Sequence, residues 1–200
     1  MASNGMGTNP MDSNAIRLWR KAERQRLIQA RGEAAETDRA AWSAAIAPLL
    51  YTVTEEVSPG IIGFYWPFKG EFDPLPYIRE QFALGRRAAL PVITQKNHPM
   101  EFHLWTPDAE MEAGHWGIPI PKARQMVTPD LILAPLVGFD AGLFRLGYGG
   151  GYFDRTLAAL HPRPFALGVG FELGFMPTVH PQEYDIPMNA IVTETGIRRL

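Results

Sequence analysis

The chain contains no cysteine. This absence excludes a disulfide framework, a thiolate nucleophile and a thiolate metal site, and it fits a cytoplasmic protein. An excess of positive charge is also lacking, because 19 lysines and arginines are balanced by 21 aspartates and glutamates. A general nucleic-acid-binding protein would usually carry a strongly basic face, so we expect no nucleic-acid partner. An anionic small ligand is compatible with this charge, since a few well-placed donors suffice to bind phosphate.

Long apolar segments are lacking as well. The longest nearly apolar run, 131–139, is too short to cross a membrane and contains a proline, so we expect no membrane association. Residues 1–15 have neither the basic nor the apolar region of a signal peptide, and we expect a flexible tail there. Since 46% of all residues are hydrophobic, residues 16–200 can bury the core of a single domain.

Helix and strand patterns alternate along the chain. A first helix is predicted at 16–31, and a second begins after a cap at Thr37 and ends near Pro48. The remaining helices are predicted at 74–88 and 154–160, and the strands at 61–66, 89–94, 100–105, 131–137, 165–171 and 190–193, with a hairpin turn at 96–99 and a loop at 107–129. This alternation predicts an α/β fold: one three-layer domain, with a mostly parallel, mixed sheet flanked by helices and an N-terminal helical segment.

The most informative segment is the glycine-rich sequence RLGYGGGYFDR at 145–155. Four glycines in five positions expose backbone N–H groups, and the predicted helix that follows presents its N-terminus to an anion. The segment lacks the Gly-Lys-Ser/Thr ending of a Walker A loop, and the third glycine of a dinucleotide fingerprint would fall on Tyr152. The pattern alone leaves two alternatives open: a tight turn without a ligand, and Asp154 as a simple helix cap.

A longer stretch around this segment resembles the signature of the 5-formyltetrahydrofolate cyclo-ligase family. It comprises PDLILAPLVGFD at 129–140, Gly142 and the glycine-rich segment, and it continues with VHP at 179–181, Asp185 and IVTE at 191–194. WGIP at 116–119 and Glu71 also fit, so the resemblance covers about residues 17–195. It implies an enzyme that uses ATP and Mg²⁺ to close 5-formyltetrahydrofolate to 5,10-methenyltetrahydrofolate, with phosphorylation of the formyl oxygen and release of ADP and phosphate.

The resemblance also implies roles for individual residues. Arg145 and Asp154 are the expected catalytic residues, and Asp154 and Asp185 are the expected Mg²⁺ ligands, as carboxylates suit this hard cation. The expected ATP-binding residues are Arg20 or Lys21, Arg24, Arg145, Leu146, Gly147, Tyr148, Gly149, Gly150, Gly151, Tyr152 and Phe153. The expected folate-binding residues are Trp66, Glu71, Trp116 and Tyr152, and each of these aromatics has core packing as its alternative.

Helical spacing places four residues of the first helix on one stripe: Arg20, Arg24, Leu27 and Arg31. The family has a lysine where this chain has Arg20, and Lys21 is one position away, so the choice between these two stays open. A solvated basic face is the simpler interpretation of such a stripe. The glutamate tail of folate is anionic, and Lys69, Lys96 and Lys122 are all candidates to meet it.

Other functions also fit parts of the pattern. One is an enzyme of the same fold that acts on another pterin-related or thiamine-related substrate. Another is a non-catalytic folate- or nucleotide-binding module, against which the presence of both Asp154 and Asp185 argues. A plain interaction domain would leave the glycine-rich segment without a purpose. We expect a monomer whose partners are the small-molecule substrates ATP and 5-formyltetrahydrofolate.

Overall fold

The computed structural model describes residues 11–200. Within this part of the chain the helices are α1 Ser13–Glu33, α2 Glu36–Val57, α3 Leu75–Ala83 and α4 Tyr152–Ala159. The strands are β1 Ile61–Gly63, β2 Arg87–Val92, β3 Glu101–Trp105, β4 Met111–Ala113, β5 Pro119–Pro121, β6 Met126–Val127, β7 Leu131–Pro135, β8 Gly138–Phe139, β9 Arg145–Leu146, β10 Phe165–Val169, β11 Ala190–Thr193 and β12 Gly196–Arg198.

Eight of these strands form one mixed sheet in the order β12-β11-β10-β7-β1-β2-β3-β6. The five central strands, from β11 to β2, are parallel, and the outer strands β12, β3 and β6 each run antiparallel to their inner neighbour. The sequence prediction of a mostly parallel, mixed sheet is confirmed, as is the hairpin between β2 and β3. Two small antiparallel pairs, β4-β5 and β8-β9, stand outside this sheet.

Helices cover both faces of the sheet. Consecutive residues of each parallel strand point to opposite sides, so each strand presents apolar side chains to the helices on both faces. Leu131 and Leu133 of β7 pack with α2 and α3 in one hydrophobic cluster, whereas Ile132 and Ala134 pack with Leu157 of α4 in another. This is the predicted three-layer arrangement. Parallel strands covered on both faces are apolar throughout, which explains the uninterrupted hydrophobic run of β7.

Helix α1 lies apart from the sheet layers. Leu27, which is 1% exposed, packs with residues between β7 and β11, namely Val137, Leu146, Met176 and Val179. The helix therefore covers loops and the short strand β9 rather than the strands of the main sheet. The helix begins at Ser13 after the cap Asp12, so the flexible tail predicted at 1–15 extends too far into the helix. Residues 1–10 of that tail lie outside the described residues.

The predicted end of the second helix at Pro48 is wrong, since α2 continues to Val57. A proline inside a helix removes one hydrogen bond and costs about 3 kcal/mol. Ile46, Leu50 and Val53 are completely buried against the sheet on either side of Pro48, and this burial offsets the cost. The predicted cap at Thr37 is also wrong, because the helix already begins at Glu36.

The other boundaries differ by a few residues. β1 ends at Gly63 rather than at 66, and α3 ends at Ala83 rather than at 88 because β2 begins at Arg87. The predicted loop 107–129 contains the short strands β4, β5 and β6, which were too short to show a periodic pattern. No helix within residues 11–200 is long and apolar enough to span a membrane.

Candidate active site

A cavity of about 1760 Å³ opens at the carboxyl ends of the central strands. It is lined by the segment after β1, by Pro91 and Ile93 at the end of β2, and by Pro135 at the end of β7, together with the glycine-rich loop. In open α/β sheets, ligands bind at this edge. A cavity for one small molecule typically measures about 300–1,000 Å³, so this one has room for two substrates side by side.

The structure brings nearly all of the predicted site residues together around this cavity. The lining residues that were predicted are Arg20, Arg24, Trp66, Glu71, Trp116, the loop 145–153, Asp154 and Asp185. Lys21 does not line the cavity and is exposed on α1. Of the three lysines considered for the glutamate tail, Lys69 alone lines it.

The glycine-rich loop connects β9 to α4 and keeps its backbone open to the cavity. Gly149 has φ +95 and Gly151 has φ +64, values that a side chain would strain. Gly151 also caps α4, so the first turn of this helix faces the same space. A Cβ atom at Gly150 would lie 2.8 Å from the ring of Tyr152, so this position has no room for a larger residue. The loop is thus built for close approach of an anion to backbone N–H groups.

The stripe on α1 faces this site, so the interpretation as a solvated face is wrong. Arg20, Leu27 and Arg31 are buried, and Arg24 is half-buried. The Nε atom of Arg24 donates to the Gly147 carbonyl at 2.7 Å. Its two terminal nitrogens have no hydrogen-bond partner among residues 11–200 and lie at the cavity. Burial is the main factor that lowers the pKa of Arg24, followed by the charge of Arg20, while Asp185 opposes both.

Arg20 holds the loop that carries Asp185. Its Nε atom donates to the Val179 carbonyl at 2.9 Å, and its Nη2 atom donates to the His180 carbonyl at 2.9 Å. Nη2 also forms an ion pair with Asp185, whose Oδ2 atom accepts from the Gln182 N–H group at 2.7 Å. Most donors of Arg20 are therefore committed to the protein. A direct contact of Arg20 with ATP stays a prediction, whereas its hold on Asp185 is part of the structure.

Asp154 is paired in a similar way. Its Oδ2 atom accepts from Nη2 of Arg145 at 2.8 Å, and Oδ1 accepts weakly from the Ile186 N–H group at 3.3 Å. It does not cap α4, because Gly151 occupies the cap position and no side chain caps this end. The alternative of a simple helix cap is therefore wrong. Burial lowers the pKa of Arg145, and the charges of Asp154 and Asp185 oppose that shift.

The residues present fit a metal ion that receives most of its ligands from a bound nucleotide. Within residues 11–200 no group of three or more acidic or histidine side chains is placed to hold an ion by itself. Asp154 and Asp185 both line the cavity, and the N–H group next to Asp185 in the chain binds Asp154. Each carboxylate has one oxygen with only a long hydrogen bond, of 3.3 and 3.4 Å respectively. Two such oxygens, with phosphate and water oxygens, suit Mg²⁺.

The turn 68–71 brings an acid to the cavity, next to the rings of Phe68 and Tyr148. Oε2 of Glu71 accepts from the Phe68 N–H group at 2.9 Å, whereas Oε1 is buried without a hydrogen-bond partner among the described residues. Burial raises the pKa of Glu71 to about 7. The charge of Arg31 is the largest influence that lowers this pKa, and the Tyr148 hydroxyl and the Phe68 N–H group lower it further. An unpartnered buried acceptor calls for a ligand with N–H donors.

Trp66, Trp116 and Tyr152 supply flat surfaces to the cavity. Trp116 is 63% exposed, adopts φ +58 and lies edge-on to Tyr152 with 6.2 Å between ring centroids. The alternative of core packing is therefore wrong for Trp116. Trp66 is partly buried against the main hydrophobic cluster but also lines the cavity, so it serves both purposes.

Two residues of this site were not predicted. Arg155 donates to the Gly150 carbonyl at 2.6 Å and lies over the ring of Tyr152, so it braces the glycine-rich loop. Arg31 lies beneath the loop, where its Nη2 atom donates to the Tyr148 hydroxyl at 2.7 Å. Both carried a signal in the sequence, because Arg155 ends the glycine-rich segment and Arg31 belongs to the stripe of α1.

Comparison with known proteins shows the family to which this chain belongs. Residues 16–194 match the 5-formyltetrahydrofolate cyclo-ligase family. The 5-formyltetrahydrofolate cyclo-ligase of Escherichia coli is 30% identical over 162 residues, which cover 76% of this chain and 87% of that protein. This chain belongs to the 5-formyltetrahydrofolate cyclo-ligase family. It is therefore an enzyme of the ligase class, and the resemblance that the sequence motifs indicated is confirmed.

Two further relatives of the family extend this result. The enzyme of the same description from Haemophilus influenzae is 31% identical over 134 residues, which cover 64% of this chain and 72% of that protein. The solved structure of 5,10-methenyltetrahydrofolate synthetase from Aquifex aeolicus has a TM-score of 0.78 and 26% identity, and the match covers 90% of this chain and 92% of that one. The predicted α/β fold is thus the fold of the family.

Proposed function

We propose that this enzyme closes 5-formyltetrahydrofolate to 5,10-methenyltetrahydrofolate with ATP and Mg²⁺. The observation that carries the proposal is a single cavity with two chemically different sides. One side has a glycine-rich loop and arginines, and the other has the unpartnered carboxylate oxygen of Glu71 among aromatic rings. Such a cavity suits a nucleotide and a pterin held next to each other. The names of the family and of its relatives support the same reaction.

The nucleotide belongs to the glycine-rich side. Backbone N–H groups of the loop and the first turn of α4 would bind the phosphates, as oriented backbone dipoles favour anions. The free nitrogens of Arg24 would donate to a phosphate, and Arg145 would offset charge from the buried side of the loop. Asp154 and Asp185 would hold Mg²⁺ together with the phosphates. When bound, Mg²⁺ supplies neutralisation of the charge that builds on the transferred phosphoryl group.

The folate belongs to the side of Glu71. A pterin presents adjacent N–H donors, and a carboxylate whose Oε1 atom lacks a partner can accept from them. Trp66, Trp116 and Tyr152 would lie against its flat rings. The glutamate tail is at the far end of the molecule from the pterin. Lys69, Lys96 and Lys122 all remain candidates to meet the tail, and Lys69 alone of the three lines the cavity.

The chemistry then requires positioning more than reactive side chains. The formyl oxygen of the folate attacks the γ-phosphorus of ATP, and ADP leaves. The second folate nitrogen attacks the activated formyl carbon and gives up its proton to solvent. The ring closes as the bond from that carbon to the phosphorylated oxygen breaks, with release of phosphate. Both nucleophiles belong to the substrate, so alignment in one cavity and neutralisation of charge by Arg24 and Arg145 are the contributions of the protein.

Absorbance measurement of 5,10-methenyltetrahydrofolate tests this proposal. The purified protein is mixed with 5-formyltetrahydrofolate, ATP and Mg²⁺, and each component is then omitted in turn. Product is expected only in the complete mixture. Glu71→Gln is expected to lose turnover, whereas Glu56→Gln, which changes an exposed acid paired with Arg199 away from the cavity, should match the wild type.

Three results would contradict the proposal. They are product without ATP, no product from folded protein, and an unaffected Glu71→Gln variant. ATP-dependent turnover of another pterin-related or thiamine-related compound, with 5-formyltetrahydrofolate left intact, would favour an enzyme of the same fold with a different substrate.

A further inference from the structure

Arg31 contacts two segments that line the cavity, the glycine-rich loop and the turn 68–71, without lining the cavity itself. It is 4% exposed, on the last turn of α1, and none of the roles assigned above belongs to it. Its Nη2 atom donates to the Tyr148 hydroxyl of the glycine-rich loop at 2.7 Å. Its Nε atom donates to the Lys69 carbonyl at 3.0 Å, within the turn that presents Glu71. One side chain thus binds the nucleotide loop and the folate turn together.

The turn between Phe68 and Glu71 depends on these contacts. Lys69 has φ +50 and Gly70 has φ +73, so two consecutive residues adopt the left-handed region. For Lys69 this conformation is strained, and its carbonyl is fixed by the bond from Arg31. The ring of Tyr148 lies edge-on to Phe68 with 6.0 Å between centroids, and the Phe68 N–H group fixes Glu71.

A third bond anchors Arg31 itself. Its Nη1 atom donates to the Leu136 carbonyl at 3.3 Å, just beyond the end of β7. The guanidinium therefore joins the central strand, the glycine-rich loop and the folate turn in one plane. Arginine suits this position because its rigid fork directs several N–H donors at once, which the single point charge of a lysine cannot do.

Resting on the proposed function, we propose that Arg31 is a positioning residue shared by both substrates. It fixes Tyr148 and with it the glycine-rich loop for ATP, and it fixes the turn and the charge of Glu71 for the folate. Neither substrate touches it. One side chain thus holds both the segment that binds ATP and the segment that binds the folate.

A pH readout separates this role from a merely structural one. The titratable groups that face Glu71 are Arg31 from α1, Tyr148 from the glycine-rich loop and Tyr65 from the segment after β1. Burial raises the pKa of Glu71 to about 7, and the charge of Arg31 is the largest influence that holds it down. Loss of that charge raises the pKa of Glu71, so that more of Glu71 is protonated at neutral pH. The midpoint of the pH dependence of folate binding, which follows this pKa, should move upward with it.

The test is calorimetric titration with ATP alone and with 5-formyltetrahydrofolate alone, between pH 6.5 and 9. The proteins are the wild type, Arg31→Gln and Arg31→Lys, with Arg26→Gln as the matched control, because Arg26 is an exposed arginine on the same helix. Arg31→Gln is expected to weaken each ligand about tenfold at pH 7, which is the effect of losing one charge-assisted hydrogen bond. The folate deficit should shrink above the new midpoint. Arg31→Lys should keep the wild-type midpoint, since it keeps the charge, but not the wild-type affinity for ATP.

A folded Arg31→Gln variant that weakens only one ligand, or that leaves the pH midpoint of folate binding in place, would overturn the shared role. If Arg31→Gln does not fold, Tyr148→Phe removes the acceptor of Arg31 while keeping the ring, and it should weaken both ligands about fivefold. Equal affinities in this variant and the wild type would overturn the role as well. If the wild type binds neither ligand, the proposed function fails first, which is a distinct result.

Discussion

Arg145 and Asp154 form an ion pair with 2.8 Å between Nη2 and Oδ2, on the buried side of the glycine-rich loop. The side chain of Arg145 is 5% exposed and that of Asp154 is 17% exposed. The pair joins the start of the loop to the first turn of the helix that follows it. An uncompensated charge at this depth is costly, so the carboxylate stabilises the fold as well as serving the site.

Asp154→Asn is therefore expected to lower the free energy of unfolding by about 1–3 kcal/mol, because Arg145 loses its buried counter-charge. Chemical denaturation at pH 7 measures the change. Asp108→Asn is the matched control, since Asp108 is fully exposed in a turn, and its stability should equal that of the wild type. A helix cap would predict no loss on changing Asp to Asn, so unchanged stability of Asp154→Asn would contradict the buried pair.

Arg24→Ala should weaken ATP binding about 10- to 150-fold, since a hydrogen bond from a charged donor contributes about 1.5–3 kcal/mol. Binding of 5-formyltetrahydrofolate alone should change little. Titrations at fixed salt compare it with Lys21→Ala, which removes an exposed charge outside the cavity and should match the wild type. A larger effect from Lys21 than from Arg24 would show that the stripe is turned away from the nucleotide.

Arg20→Ala should act on the metal requirement rather than on ATP affinity alone. Loss of Arg20 releases the Val179 and His180 carbonyls and frees Asp185 from its ion pair. We expect the Mg²⁺ concentration for half-maximal turnover to rise, with ATP affinity falling less than in Arg24→Ala. An unchanged Mg²⁺ requirement, with ATP affinity reduced as in Arg24→Ala, would instead make Arg20 a direct ligand of the nucleotide.

Glu71→Gln should stabilise the protein at alkaline pH while it removes folate binding. Burial raises the pKa of Glu71 in the folded protein from its ordinary value of 4.5 to about 7. Between these values the unfolded chain binds fewer protons, so raising the pH favours unfolding, and the penalty is complete above pH 7. Removing the acid should therefore raise the free energy of unfolding by about 1–3 kcal/mol at pH 8 and by much less at pH 5.

Denaturation curves at the two pH values measure this difference. Glu56→Gln is the control, because Glu56 is exposed and should show no pH-dependent gain. An equal effect of Glu71→Gln at both pH values would mean that burial does not raise the pKa of this acid.

Much of the fold followed from local patterns, and the failures have physical causes. β11 has the predicted bounds, because all four of its residues are buried and three of them are apolar. Pro48 misled the prediction of α2, since the burial that carries the helix through it is a tertiary effect. β12 was missed because its three residues are only partly buried at the edge of the sheet and carry no apolar run.

The site divides in the same way. The glycine-rich loop was found because four glycines ahead of a helix carry the chemistry of anion binding, whereas Glu71 and Asp185 were found only through the resemblance to the family. The sequence did not show that Arg20 binds the carbonyls of Val179 and His180, because carbonyls have no sequence signature. For the same reason the sequence could not predict the hydrogen bond from Arg31 to the Lys69 carbonyl, although it placed Arg31 on the stripe of α1.

The stripe of α1 also sets the order in which the site can form. Arg20 and Asp185 are 165 residues apart in the chain, Arg24 and Gly147 are 123 apart, and Arg31 and Tyr148 are 117 apart. Contacts over such separations are made late, because a long stretch of chain has to be ordered before they are rewarded. During synthesis, α1 is made before the residues it holds. A nascent chain that stops before Asp185 therefore carries an arginine face without its carboxylate, and the proposed nucleotide pocket cannot be completed until Asp185 has been made.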